Sequence, residues 1–94
     1  MIECLLRDAD EDFDVHVDVL KKACRGVLRN GGDEGEWFID ADGKHSVYIS
    51  YEPPGLQISF EEAVDRVLAE RVVADIVSNL GAATGSAFHA VWLS

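Results

Sequence analysis

Two alternating runs set around a turn constrain this chain more than any other feature. Val47, Ile49 and Tyr51 alternate with polar neighbours, then Pro53-Pro54-Gly55 interrupts, and then Leu56, Ile58 and Phe60 alternate again. Residues two apart in a strand share a face, so each run is apolar on one side only. Joined by a turn, the runs predict an antiparallel hairpin whose apolar face needs a cover. The cover comes from two further segments. Val64, Val67, Leu68, Val72, Ile76 and Leu80 recur at helical spacing, with a start expected at Ser59 or at Phe60-Glu61-Glu62 and a stop at Gly81. Phe13, Val17, Leu20, Cys24 and Val27 step by four, three, four and three, one face of a helix, although Phe13, Val15, Val17 and Val19 also alternate as in a strand. Lys21, Lys22, Arg25 and Arg29 suit the negative end of such a helix.

Ile2 to Arg7 reads as a first strand, Glu36 to Asp40 as a short one, and Phe88 to Leu93 as the last. Asp40-Ala41-Asp42-Gly43 forms a hairpin turn, and Ala82 to Ser86 a loop. The order strand, helix, two or three strands, helix, strand predicts a single α+β domain over residues 1–94. It consists of a small antiparallel sheet with two helices on one face, in a ferredoxin-like βαββ(β)αβ order.

Charge narrows the partners. The sequence has 18 Asp and Glu against 8 Lys and Arg, a net charge of −10. That field repels nucleic acid and anionic membranes and attracts a basic protein or a cation. Eleven of the 18 carboxylates fall in Asp8 to Asp18 and Asp33 to Asp42, and four of the eight basic residues lie between them in Lys21 to Arg29. The run Asp8-Ala9-Asp10-Glu11-Asp12 reads as a solvated helix start, with Asp8 and Glu11 at capping-box spacing. A calcium loop started at Asp8 needs Gly at Phe13 and Glu at Val19, and has neither.

Arg29-Asn30-Gly31-Gly32-Asp33-Glu34 resembles the GGDEF signature of diguanylate cyclases. Asp8-Ala9-Asp10 stands in the order of that family's first-strand Asp-x-Asp. The resemblance implies a Mg²⁺-dependent nucleotide domain using Asp8, Asp10, Asp33 and Glu34. Gly35 stands where the family has Phe, the spacing is shorter, and the chain is about half the family's domain length. The same residues also make a glycine-rich turn, the reading preferred here.

No Ser–His–Asp or Cys–His set can be placed from His16, His45 and His89, and Cys4 and Cys24 lack zinc spacing. The thiols are expected to be buried and reduced, and the compartment cytoplasmic, with no signal peptide and no apolar stretch long enough to span a bilayer. No metal and no cofactor are expected, and no catalysis. The function expected is protein binding, by a small acidic inhibitor of the kind seen in bacterial immunity proteins and antitoxins. Such a protein occludes the positive cleft of a basic toxin or nucleic-acid enzyme without contacting nucleic acid itself. The partner-binding residues expected are Asp8, Asp10, Glu11, Asp12, Asp33, Glu34, Glu36, Trp37, Asp40 and Asp42. Trp37 is also a candidate for core packing. A small regulatory domain that dimerises through an edge strand is a third reading.

Overall fold

A computed structural model describes residues 2–8, 15–31, 35–39, 45–52 and 55–93. The chain runs β1 (Ile2–Asp8), α1 (Val17–Arg25), β2 (Arg29–Asn30), β3 (Glu36–Phe38), β4 (Ser46–Glu52), β5 (Gly55–Phe60), α2 (Arg66–Thr84) and β6 (Phe88–Trp92). It is an α+β fold with one antiparallel sheet in the order β2-β3-β4-β5-β1-β6. Among the described residues there are six strands, against the four or five expected.

Register explains which side chains form the core. Ile2, Cys4 and Leu6 lie opposite Phe60, Ile58 and Leu56, Val47 lies opposite Phe60, and Trp37 opposite Val47. These residues share one face, and from Cys4 to Trp37 all are buried. They join Leu20, Ala23 and Cys24 of α1 and Ala69, Val72, Val73, Ile76 and Leu80 of α2 in one cluster. The opposite face, with Tyr48, Ser50, Gln57, Ser59 and Val91, carries none of that cluster's buried residues. Helix α2 packs over β1 and β6 and against α1, and Asn79 Nδ2 donates to the Ala23 carbonyl at 3.0 Å to tie the two helices. Among the described residues, no helix is long and apolar enough to cross a membrane.

Several boundaries differ from expectation. Asp8 is the last residue of β1 and does not cap α1. The N-cap is His16, whose Nδ1 accepts from the Asp18 amide at 3.2 Å. Val15 and His16 precede the helix, so the helical face begins at Val17, and Phe13 lies outside the described residues. Helix α2 starts at Arg66 rather than near Phe60. Phe60 is held in the sheet between Ile2 and Val47, and Asp65 caps the helix by accepting from the Leu68 amide at 2.8 Å. Val67 is 78% exposed and leaves the buried face to Ala69, Val72, Val73, Ile76 and Leu80. The helix also runs through Gly81 to Thr84. Thr84 Oγ1 donates back to the Leu80 carbonyl, and Gly85 at φ 75° closes the end. Gly85 is the residue that can take this left-handed conformation without strain. The short strand β2 falls where a break was expected. The turns expected at Asp40 to Gly43 and at Pro53-Pro54 lie outside the described residues.

Two glycines separate backbone strain from crowding. Gly85 at φ 75° has nothing within 4 Å of an added Cβ, whereas Gly35 at φ 82° has the Ile49 carbonyl oxygen 2.9 Å away. Gly85→Ala is expected to cost about 1 kcal/mol in urea unfolding, the price of the left-handed conformation alone. Gly35→Ala is expected to cost more, because the Gly35 carbonyl also accepts from the Ile49 amide at 2.8 Å and tethers β3 to β4. Equal losses in the two variants are the contrary result.

Candidate functional site

Helix α1 does not close the whole sheet. Val17, Leu20, Lys21 and Cys24, spaced at i, i+3, i+4 and i+7, face Trp37, Ile49, Tyr51 and Leu56 across a cleft of about 530 Å³. Helical spacing supplies one wall and alternate strand residues the other. The cleft arises because Leu20 and Cys24 turn into the core while Val17 and Lys21 of the same helix remain exposed. On the sheet side Trp37 is 5% exposed and Tyr51 is largely exposed, although both lie on the helix-covered face. The walls are chiefly apolar and aromatic, with the Lys21 ammonium and the Asn30 amide at the edge. Such a concavity suits an apolar or aromatic group.

The expected site residues divide. Asp8 is 7% exposed, lies opposite Phe88 on the helix-covered side of the sheet, and has an interaction partner. Trp37 lies in the core, the packing role that its strand setting also allowed. Glu36 lies opposite Tyr48, on the face turned away from the helices. Asp8 and Glu36 therefore lie on opposite faces. The strands that carry them, β1 and β3, stand three strand spacings apart, about 14 Å. Asp10, Glu11, Asp12, Asp33, Glu34, Asp40 and Asp42 lie outside the described residues.

The flanks of those segments are nonetheless fixed by register. Arg7 pairs with Gly55, and Glu52 pairs with Gly55, so β1 ends beside the β4–β5 connection. Gly35 accepts from Ile49 as the chain enters β3 travelling away from that end. Ile39 donates to the His45 carbonyl at 2.9 Å at the other end of β3 and β4. The chain thus leaves β1 at Asp8 and enters β3 at Gly35 toward one end of the sheet, while Ile39 and His45 stand toward the other.

No family model, no curated protein and no solved structure matches this chain.

The chemistry available among the described residues is that of binding. No group of three or more His, Cys, Asp or Glu among them could hold a metal ion. Both cysteines are free thiols and both are buried. Burial pushes Cys4 up to about 11, with the Arg66 charge pulling it partly back, and burial alone pushes Cys24 up to about 11. A thiol held in its neutral form is a poor nucleophile, so Cys24 contributes to the cleft as a small apolar side chain. Of the residues that line the cleft, the sequence reading assigns Val17, Leu20 and Cys24 to core packing, names Glu36 and Trp37 as partner-binding, and misses Lys21 and Tyr51. The helical stripe signalled a face, and nothing local indicated that part of that face stays uncovered.

The raised thiols give a pH dependence. In the unfolded chain they ionise near their ordinary 9.0, and in the folded chain near 11. The folded state therefore holds more protons between these values. Its stability is complete below about pH 9 and falls as pH rises toward about 11. Urea midpoints measured across this window are expected to fall more steeply for the native sequence than for the Cys4→Ala/Cys24→Ala double variant. Parallel curves would show that other groups cause the loss.

Proposed function

We propose that this protein is a small, acidic, non-catalytic binding protein that neutralises a basic partner such as a nuclease-type toxin, in the manner of an immunity protein or antitoxin. The observation that carries the reading is the patterned charge. A net charge of −10 is concentrated in Asp8 to Asp18 and Asp33 to Asp42, with basic residues held between. Carboxylates in connecting segments steer a positively charged cleft and compete with its polyanionic substrate. The α1–sheet cleft adds a concave apolar surface, which takes up an apolar side chain of the partner. Asp10, Glu11, Asp12, Asp33 and Glu34 supply the main contacts in this reading. Asp8, buried as it is, positions the start of the first acidic segment.

Two further parts of the reading have support. We read β1-α1-β4-β5-α2-β6 as a ferredoxin-like βαββαβ core with β2 and β3 as an edge extension, a reading that the adjacency of β4, β5, β1 and β6 in the antiparallel sheet supports. Two free, buried thiols suit a reducing compartment, and we place the protein in the cytoplasm.

The test is affinity capture from lysate of the native host, using the full chain at low and at high salt, with identification of what is retained. A protein of high isoelectric point is expected at low salt and is expected to be lost at high salt, since exposed charges are screened beyond about 3 Å at 1 M. The variant Asp10→Asn/Glu11→Gln/Asp12→Asn is expected to weaken retention at low salt while leaving the melting temperature within a few degrees of the parent. Retention that ignores both salt and these substitutions would sink the reading.

A further inference from the structure

Among the described residues, strand β6 lies at one edge of the sheet and forms its ladder with β1. The Leu93 amide donates to the Glu3 carbonyl at 2.9 Å, which makes Leu93 and Glu3 a hydrogen-bonded pair. In an antiparallel ladder such pairs alternate with non-hydrogen-bonded ones. Val91 and His89 therefore direct their backbone groups toward β1, and Ala90 and Trp92 direct theirs outward. Natural edge strands are blunted by proline, by charged side chains or by a bulge. Phe88-His89-Ala90-Val91-Trp92 has no proline and no Lys, Arg, Asp or Glu, and its register with β1 is unbroken over five pairs.

The sequence leading into the strand is uncharged as well. From Ile76 to the end, the sequence has no Asp, Glu, Lys or Arg, although such residues make up 28% of the chain. Two chains of net charge −10 repel each other, and an edge-to-edge approach along β6 sets no charged residue of one strand opposite one of the other. The exposed apolar side chains there are Val91, 38% exposed, and Leu93, 52% exposed. The flank of α2 above the strand offers a cation and an anion together. Arg66 lies 4.3 Å from the Trp92 ring centroid and pairs with Glu70 at 3.4 Å.

We propose that the occupant of this edge is a second copy of the chain, paired antiparallel through β6 about a two-fold axis at Val91. In that register Ala90 and Trp92 exchange backbone hydrogen bonds with Trp92 and Ala90 of the second copy. Val91 meets Val91 at a non-hydrogen-bonded position, where side chains come closest, and Leu93 lies opposite His89. The two sheets become one of twelve strands, and the arrangement is closed, as a two-fold contact requires. The interface lies on the far side of β1 from the strands that line the α1–sheet cleft, so it uses none of the cleft residues.

Register makes the proposal directly testable. Opposed Cα atoms at a non-hydrogen-bonded antiparallel position are about 4.5 Å apart, within disulfide range. Val91→Cys is expected to cross-link into a covalent dimer with oxidised glutathione, while His89→Cys, which lies opposite Leu93, is expected to stay monomeric. The native Cys4 and Cys24 are buried and leave the background low. In sedimentation of the full chain, self-association is expected to strengthen with salt, the reverse of binding to a basic partner. Val91→Glu, which sets two carboxylates face to face, is expected to weaken it at least tenfold. A native chain that stays monomeric at high concentration and high salt would overturn the proposal. So would equal cross-linking at positions 89 and 91, or a dimer that Val91→Glu leaves intact.

Discussion

Everything in this fold rests on β1 being paired along both edges. Its residues lie opposite β5 on one side and β6 on the other, and its inward side chains Cys4 and Leu6 are completely buried. Gly55 completes the fit on the β5 side. A Cβ there would run into the Leu6 carbonyl oxygen, so the absence of a side chain sets how closely β5 approaches β1. Ile58 and Phe60 then lie beside Cys4 and Ile2 in the same buried layer. Loss of packing at β1 would be felt by both halves of the sheet, because among the described residues no other strand joins β6 to the rest.

A core this small must hold together a chain whose charges repel. Domains of this size bury a modest share of their surface and have little stability in reserve. The molecule manages this by segregation. The described strands and the buried face of α2 form a continuous apolar layer, while the carboxylates cluster in the connections and on exposed helix positions. Asp8 is the one buried charged or polar residue among those described, and it stands at the strand end, where the apolar layer gives way to the acidic segment. Acidity and foldability are thereby kept in different parts of the chain.

How much of this was legible in the sequence depends on whether a residue's fate was decided locally. The strands β1, β4, β5 and β6 were readable, since alternation over five or more residues with turn signals between them has few other outcomes. Strand β2 was not, because Arg29 and Asn30 are both exposed and carry no apolar pattern, and only pairing with Phe38 and Trp37 makes them a strand. The ends of α2 were misplaced for two distinct reasons. Phe60 fits a helical start and a strand equally well, and its burial against the neighbouring strands decides the matter. Gly81 and Gly85 look alike in sequence, yet only Gly85 has the left-handed backbone that ends the helix. The cleft is tertiary from the outset. Its two walls are separated in sequence, and the stripe Val17, Leu20, Cys24 reads as ordinary core until the width of the sheet beneath α1 is known.

The central position of β1 also bears on how the chain is assembled. Ile2 pairs with Phe60, and Cys4 pairs with Trp92, so β1 is completed by partners that lie far downstream in the chain. Pairings this distant along the chain carry a large loop-closure cost before they are rewarded, and they slow folding relative to locally connected folds of equal stability. The hairpins β2–β3, β3–β4 and β4–β5 join strands that are consecutive in sequence, so they can form before β1 finds its partners. The apolar run Ile2-Glu3-Cys4-Leu5-Leu6 is thus made well before its neighbours, and it is followed directly by dense negative charge, the kind of flank that opposes aggregation of an exposed strand.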